Sequence, residues 1–463
     1  MTSSVPVFLD RHRWVAAAAG RVVPPRIGTT LGIGTGVLAS LAPGLLPRAP
    51  GAQAVLTGLL AALALGVAGV LRVVLRRWAL EINQRHAWLR LPLLIATAVL
   101  VAGAAANAGH WQNRLRAAMD TPQIGADYWG RCALGTALIV GLCIGVTRSI
   151  GWALGKLGWA RGVSLAAVVG VLAYLAGVPA VAGWRESVYA SANAQFEPGV
   201  VQPISYHGPG SAESAVSWAS LGAEGRKFVS GEPVRAVRVY VGVDSAPDLD
   251  SRVALAISEL ERSGGFTRSH LVVAVPTGSG WIDANAVAGL DRRFDGDVAL
   301  VGLQYSYLPS WATFVFGRDA AVTAARSLFT AVERRIQGLA HKPKLYLYGQ
   351  SLGALGGAAV FPDDAEQDRR TCAALWAGPP VGHVLRGGAT VLANSSDPVI
   401  HWSPAQLWRA PDLTGARVDA PVPQWLPVLS FAQTTADLLA ALDAPPGHGH
   451  RYSTDQGTAM GSC

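Results

Sequence analysis

Gly349-Gln350-Ser351-Leu352-Gly353 follows the apolar run 345–348 and precedes the small-residue stretch 354–359. A strand that ends in Gly-x-Ser-x-Gly and feeds a helix has the form of a nucleophile elbow, a sharp turn that lifts one serine above a parallel sheet. The chemistry explains the spacing. The backbone at such a serine runs close to its neighbours, so the positions two before and two after must lack bulk, and glycine supplies that. Ser351 is thereby a candidate nucleophile. The N–H of Leu352, at the start of the following helix, is a candidate oxyanion donor. The chain contains 53 glycines, so a Gly-x-Ser-x-Gly pentapeptide can arise by chance, and the reading needs partners elsewhere in the chain.

A serine hydroxyl is too weak an acid to attack a carbonyl unaided. An imidazole must take its proton, and a carboxylate must fix the tautomer of that imidazole. Serine, acid, histidine is the chain order expected of this arrangement, and Ser351, Asp397 and either His448 or His450 supply it. Both histidines of Gly447-His448-Gly449-His450 stay open as the base, with the reading leaning to His450. Asp397, in Asn394-Ser395-Ser396-Asp397-Pro398, is preferred to Asp363, Asp364, Asp412 and Asp419, which lack its place at a strand end. Without its partners it would read as a turn residue before proline. Two histidines two apart with no third ligand nearby make a poor zinc pattern, so neither metal nor cofactor is expected.

These side chains need a scaffold that ends strands near one another. Apolar runs at 237–243, 271–275, 298–303, 345–348, 373–376 and 390–393 alternate with helical patterns, clearest at 248–262, 319–338 and 434–442. Short apolar strands separated by helices predict an α/β domain over 233–463, with a mostly parallel sheet. In such a sheet ligands bind beyond the carboxyl ends of the strands. There the loop Pro276-Thr277-Gly278-Ser279-Gly280-Trp281 could lend the Thr277 N–H as a second oxyanion donor. Trp281, with Tyr305, Tyr307 and Trp311 of the string 304–311, is a candidate substrate wall; packing under the sheet edge is the competing reading for that string.

The first 185 residues have a different character. The chain has 463 residues, of which 51% are hydrophobic and 15% charged, a composition too apolar for a wholly soluble protein. Uncharged runs at 27–47, 51–71, 91–109, 132–147 and 162–184 predict about five membrane-spanning helices over 1–185. A polar, Pro/Gly-punctuated connector is expected over 186–232, with one short helix near 214–221. Twelve arginines and lysines fall in the N-terminus and alternate loops, against four in the other loops. The positive-inside rule therefore puts the N-terminus in the cytoplasm and the α/β domain outside it, at the cytoplasmic membrane. The net charge of +8 is then a membrane-flanking effect, and no nucleic-acid partner is expected. Cys132 and Cys143 lie too far apart on one helix to bridge. Cys372 and Cys463 face the oxidising side and are read equally as a disulfide or as two free thiols.

Several strings, in order, carry a resemblance: 222–229, Val239-Tyr240-Val241-Gly242, Pro276-Thr277-Gly278-Ser279-Gly280-Trp281, 304–311, the elbow, Ser396-Asp397-Pro398 and Gly447-His448-Gly449-His450. Together they resemble a bacterial, mainly actinobacterial, family of membrane-anchored alpha/beta-hydrolases with a multi-helix N-terminal region and a C-terminal catalytic domain. The chain departs from the family where an acidic residue commonly precedes the nucleophile, here Gln350. The resemblance implies a hydrolase; location in the membrane adds the expectation of a lipid or cell-envelope ester as substrate. Three alternatives stand beside it. One is an acyltransferase using the same residues, and another a non-catalytic membrane sensor or assembly protein. The third, transport, is disfavoured because no acidic residue lies within a predicted span. The sequence leaves the oligomeric state open.

Overall fold

The computed structural model describes residues 24–78, 85–157, 164, 168, 170–171, 174–175, 178–204, 208, 210–231, 234–382 and 384–463. The chain forms two compact units. One comprises residues 1–43, 48–114 and 122–156, and the other residues 44–47, 115–121 and 157–463.

Among the described residues of the first unit, three helices are long and apolar enough to cross a membrane: Pro50–Arg77 (α2), Ala87–Ala118 and Ala126–Lys156. Helix α1, Ile27–Ser40, precedes them. At 14 residues it reaches about 21 Å, short of the ~30 Å hydrocarbon layer. The run 27–47, read as a full span, is therefore broken: the helix stops before Pro43, and residues 44–47 join the second unit. The fourth run, only sixteen residues between arginines, continues through both Arg131 and Arg148 as one helix, which a snorkelling arginine permits. The expected fifth span, 162–184, lies largely outside the described residues; its end belongs to helix Val178–Ala194. Helices α1 and α2 pack closely because Gly36 leaves room for the backbone of Leu60 and Ala61.

The second unit holds a six-stranded sheet, parallel throughout, in the order β1-β3-β2-β4-β5-β6. The strands are β1 Val237–Val241, β2 His270–Val275, β3 Val298–Leu303, β4 Lys344–Gln350, β5 Ala373–Ala377 and β6 Ala389–Leu392. Every residue of β3 and β5 is buried, which accounts for their unbroken apolar runs. The chain moves one way from β2 to β3 and the other way from β3 to β4. The carboxyl ends of β2 and β4 therefore flank the point where the winding reverses, and ligands of open α/β sheets bind at that place.

Right-handed crossovers put the connection β1–β2 on the face opposite the connection β2–β3. Helices Leu249–Arg262 and Arg318–Gln337 accordingly pack on each other, while Ala284–Arg293 packs on the C-terminal helix Asp455–Thr458. The expected strands and the helices near 248–262 and 319–338 lie within two residues of these bounds, the largest differences being β1, which ends at Val241, and β4, which runs on to Gln350. Two helices differ more. The pattern at 434–442 belongs to a helix that starts earlier, Leu429–Leu438. Residues 214–221 are bends, irregular chain and a turn, and the helix comes next, at Gly222–Ser230.

The reason for that second difference is the carboxylate of Glu259. It is buried and accepts from Ser214 Oγ (2.8 Å), Ala215 N (2.7 Å) and Arg262 Nη2 (2.7 Å). Ser214 and Ala215, which read as the start of a helix, are thus drawn into wrapping a buried acid. Burial alone would raise the pKa of Glu259, but these hydrogen bonds hold it below the usual carboxylate value.

Cys372 and Cys463 form a disulfide that ties the C-terminus to the start of β5 across 91 residues. Closing a loop of that length removes chain entropy from the unfolded state, worth about 4–5 kcal/mol in the entropic limit. Cys463→Ser should therefore lower the melting temperature of the purified protein by several degrees. A variant that melts with the unsubstituted protein would show that the bridge contributes nothing.

Candidate active site

Ser351 sits between β4 and helix Leu352–Ala358 with φ 55° and ψ −121°, a backbone conformation that L-residues rarely adopt. The turn is enforced by close packing. A side-chain carbon on Gly349 would overlap the carbonyl of Gly353, and one on Gly353 would overlap the carbonyl of Val275 at the end of β2. Ser351 N donates to Ala377 O at the end of β5 (2.9 Å). The serine is 9% exposed. Leu352 opens the helix that follows, and the first N–H groups of a helix have no partner within it.

Asp397 is fully buried, at 0% exposure, and three donors surround its carboxylate. Val399 N donates to Oδ1 (2.8 Å), which makes Asp397 the cap of the short helix Pro398–His401. His450 Nδ1 (2.7 Å) and the Tyr452 hydroxyl (2.8 Å) both bond to Oδ2. Burial and the neighbouring carboxylate push the Tyr452 phenol well above its ordinary pKa, so it stays a donor. With Nδ1 committed to the carboxylate, the other ring nitrogen of His450, Nε2, is buried and has no hydrogen-bond partner among the described residues. An imidazole held in this way presents a proton acceptor.

Two contacts fix this imidazole to the elbow. Gln350, the residue before the serine, donates from Nε2 to the backbone carbonyl of His450 (3.1 Å). Gly378, one residue beyond the Ala377 carbonyl that binds Ser351, lies close to the ring. A side-chain carbon there would come within 2.7 Å of His450 Cε1 and 2.8 Å of Asp397 Oδ2. Glycine is required at 378 for a second reason, its φ of +55°.

His448 bonds instead to Asp419, Nδ1 to Oδ2 at 3.2 Å. Asp419 is further bound by Ser395 Oγ (3.1 Å), Ser396 N (2.9 Å) and Ser396 Oγ. Ser396 Oγ in turn accepts from Gly449 N (2.8 Å). The two histidines therefore belong to separate acid–imidazole pairs, cross-linked through Ser395 and Ser396. Buried His401 completes the acid loop by bonding Ser395 O through Nε2 (2.8 Å); burial lowers its pKa and favours the neutral ring. Asp363 and Asp412 are helix-cap or turn residues, and Asp364 bonds the backbone of Arg386 and Gly387.

The loop after β2 is closed by a hydrogen bond of its own. Thr277 N, read as an oxyanion donor, gives its hydrogen to Trp281 O (2.9 Å), because the Gly-rich turn closes on itself around Gly280 at φ +94°. The string 304–311 serves chiefly to hold this loop. Gln304 Nε2 bonds Ser279 O (3.0 Å), the Tyr305 hydroxyl bonds Pro276 O (2.9 Å), and Ser310 Oγ accepts from Gly278 N (3.1 Å). Tyr240 from β1 adds a bond to Gly280 O (2.6 Å). Burial drives the phenol of Tyr305 far above its ordinary value. The Tyr307 hydroxyl pairs with Asp244. Trp281 is half-buried, and the side chain of Trp311 lies outside the described residues.

Sequence reasoning missed Tyr452, Gln350 and Gly378 as site residues. Only Tyr452 carried a usable signal, an aromatic hydroxyl two residues after the histidine. No group of three or more potential metal ligands occurs among the described residues.

The two acid–imidazole pairs make separable predictions for the reactivity of Ser351 toward a fluorophosphonate. Asp397→Asn should slow labelling by about 10²–10⁴, since the wrong tautomer is then favoured. Asp419→Asn should slow it by less than about tenfold. Equal effects would show that the pairs do not differ in role.

The model of the alpha/beta-hydrolase family matches residues 237–390 and 386–461, and the model of the family's N-terminus matches residues 41–233. No curated protein and no solved structure matches the chain. With a parallel sheet, an elbow at its switch point and both family regions present in order, the chain belongs to the alpha/beta-hydrolase family.

Proposed function

We propose that this protein is a membrane-anchored serine hydrolase acting on an ester of lipid or cell-envelope origin. One observation carries the reading: an imidazole bonded to a buried carboxylate on one nitrogen, unpartnered on the other, and hung from the residue that precedes the elbow serine.

In this reading Ser351 Oγ attacks the ester carbonyl carbon while its proton passes to His450 Nε2. Asp397 holds the ring and favours the imidazolium, and Tyr452 shares that carboxylate. The Leu352 N–H stabilises the oxyanion. Collapse breaks the ester C–O bond, and the departing alkoxide takes the proton from His450 and leaves as the alcohol. Water then repeats the sequence on the acyl-serine and releases the acid. An alcohol in place of that water would make the same residues an acyltransferase, and product analysis with a competing alcohol separates the two. Trp281 and Tyr307 are the aromatic candidates for the substrate wall; Trp311 is proposed for it from sequence alone.

The location proposed for the catalytic unit is the extracytoplasmic face of the cytoplasmic membrane. A disulfide within that unit speaks for an oxidising compartment. The distribution of arginine and lysine among the loops speaks for the same side.

Ser351→Ala should abolish fluorophosphonate labelling and lower ester turnover at least 10³-fold in detergent. Retained labelling would remove Ser351 from the mechanism. Labelling without turnover across ester chain lengths would favour the non-catalytic sensor.

A further inference from the structure

The segment between helix Leu429–Leu438 and the candidate base is stitched to the turn that links α1 to α2. Asp437, buried near the end of that helix, accepts from Leu45 N (2.7 Å). Leu45 and Leu46 are themselves buried, and residues 44–47 belong to the same compact unit as the sheet. His450 N donates to Ala441 O (3.2 Å). At Gly449 a side-chain carbon would lie 2.9 Å from Ala444 Cβ and 3.1 Å from Leu46 Cδ2. Leu46 stands four residues before Pro50, where a 28-residue helix of mean hydropathy 2.4 begins over its most apolar window. Four residues span at most about 14 Å. Chain connectivity alone therefore keeps Leu46 close to the start of a helix long and apolar enough to cross a membrane.

At that place the surface is apolar. Residues 438–442 read Leu-Leu-Ala-Ala-Leu and carry no charge. Leu439 is 87% exposed and Leu442 53%. Single exposed leucines are ordinary on a protein surface, but two on one uncharged turn beside a membrane anchor have an occupant at hand. Exposed Asp443 closes the run and supplies a polar edge, the pattern of a segment lying in the interface with its apolar side toward the acyl chains.

We propose that Leu439 and Leu442 insert into the bilayer interface, and that the site takes its ester directly from that leaflet. The loading half rests on the hydrolase reading above; the contact half stands independently of it. Seven residues separate Leu442 from His450, so the candidate base lies shortly beyond the inserted segment. The substrate class implied is an ester that resides in the bilayer, in preference to a water-soluble one.

The test uses the full chain with Cys132→Ala and Cys143→Ala, which leaves the disulfide intact, one copy per nanodisc of phosphatidylcholine and phosphatidylglycerol. An environment-sensitive fluorophore on Leu439→Cys should be quenched by doxyl-labelled lipid at least threefold more than one on Lys342→Cys, at the opposite end of the sheet. Equal quenching would overturn the contact, and burial of the label that depends on protein concentration would assign the surface to a second copy instead. In a separate arm, the Leu439→Ser/Leu442→Ser protein should turn over a bilayer-embedded diacyl ester at least fivefold more slowly while hydrolysing a soluble butyrate ester unchanged. Parallel changes on both esters would overturn the loading step. Inactivity of the unsubstituted protein on both would overturn the hydrolase reading and the loading with it, while the quenching result would still decide the contact.

Discussion

The arrangement depends on one close approach, that of Gly353 to the carbonyl of Val275. It forces the chain leaving β4 to turn within a single residue, and that residue, Ser351, is left at φ 55°. A conformation of that kind costs on the order of 1–3 kcal/mol and persists only where the surroundings over-determine it. Here the surroundings are the buried strands β2, β4 and β5, with Ser351 N tied to Ala377 O. The sheet order places this strained point where the winding reverses. Loops from β2, β4, β5 and β6 can therefore converge on it without crossing one another.

A second constraint is electrostatic. Taking the carboxylate of Asp397 wholly out of water is costly unless its oxygens are bonded, and the fold supplies a helix-cap N–H, an imidazole and a phenol. The phenol belongs to Tyr452, two residues beyond His450, so the segment that delivers the candidate base also delivers a second donor to Asp397. Asp419 and His448 repeat the motif nearby, linked to the first pair through Ser395 and Ser396. Networks of this kind rigidify when fully satisfied. In the proposed mechanism that rigidity keeps His450 Nε2 aimed at one target.

How much of this could be read from residues alone follows from the range of the interactions. The elbow was legible because its requirements are local: two glycines, a serine, a strand before and small residues after. The inner strands were legible because burial on both faces writes itself as continuous apolar runs, and the half-buried edge strand β6 because its short segment is still mostly apolar. Asp397 stood out by its position at a strand end, whereas the pairing of His448 and His450 with different acids was invisible, since Asp419 lies in a loop with no periodic signal. Gln350 looked like a departure from family habit, and its hydrogen bond to the His450 carbonyl becomes visible only once residues 100 apart are brought together. The bond from Thr277 N to Trp281 O was not legible either, because it depends on how the Gly-rich turn closes. The helix expected near 214–221 was lost to the buried carboxylate of Glu259, a tertiary demand that outweighs local propensity.

The central claim is that the hydroxyl at 351 and the imidazole at 450 form one catalytic unit. The most direct test is a crystal structure of the protein after reaction with a phosphonate ester. The account predicts a covalent bond from Ser351 Oγ to phosphorus, with His450 Nε2 within about 2.6–3.2 Å of an oxygen on that adduct. An adduct on another residue, or a His450 ring turned away from the phosphonylated serine, would contradict it.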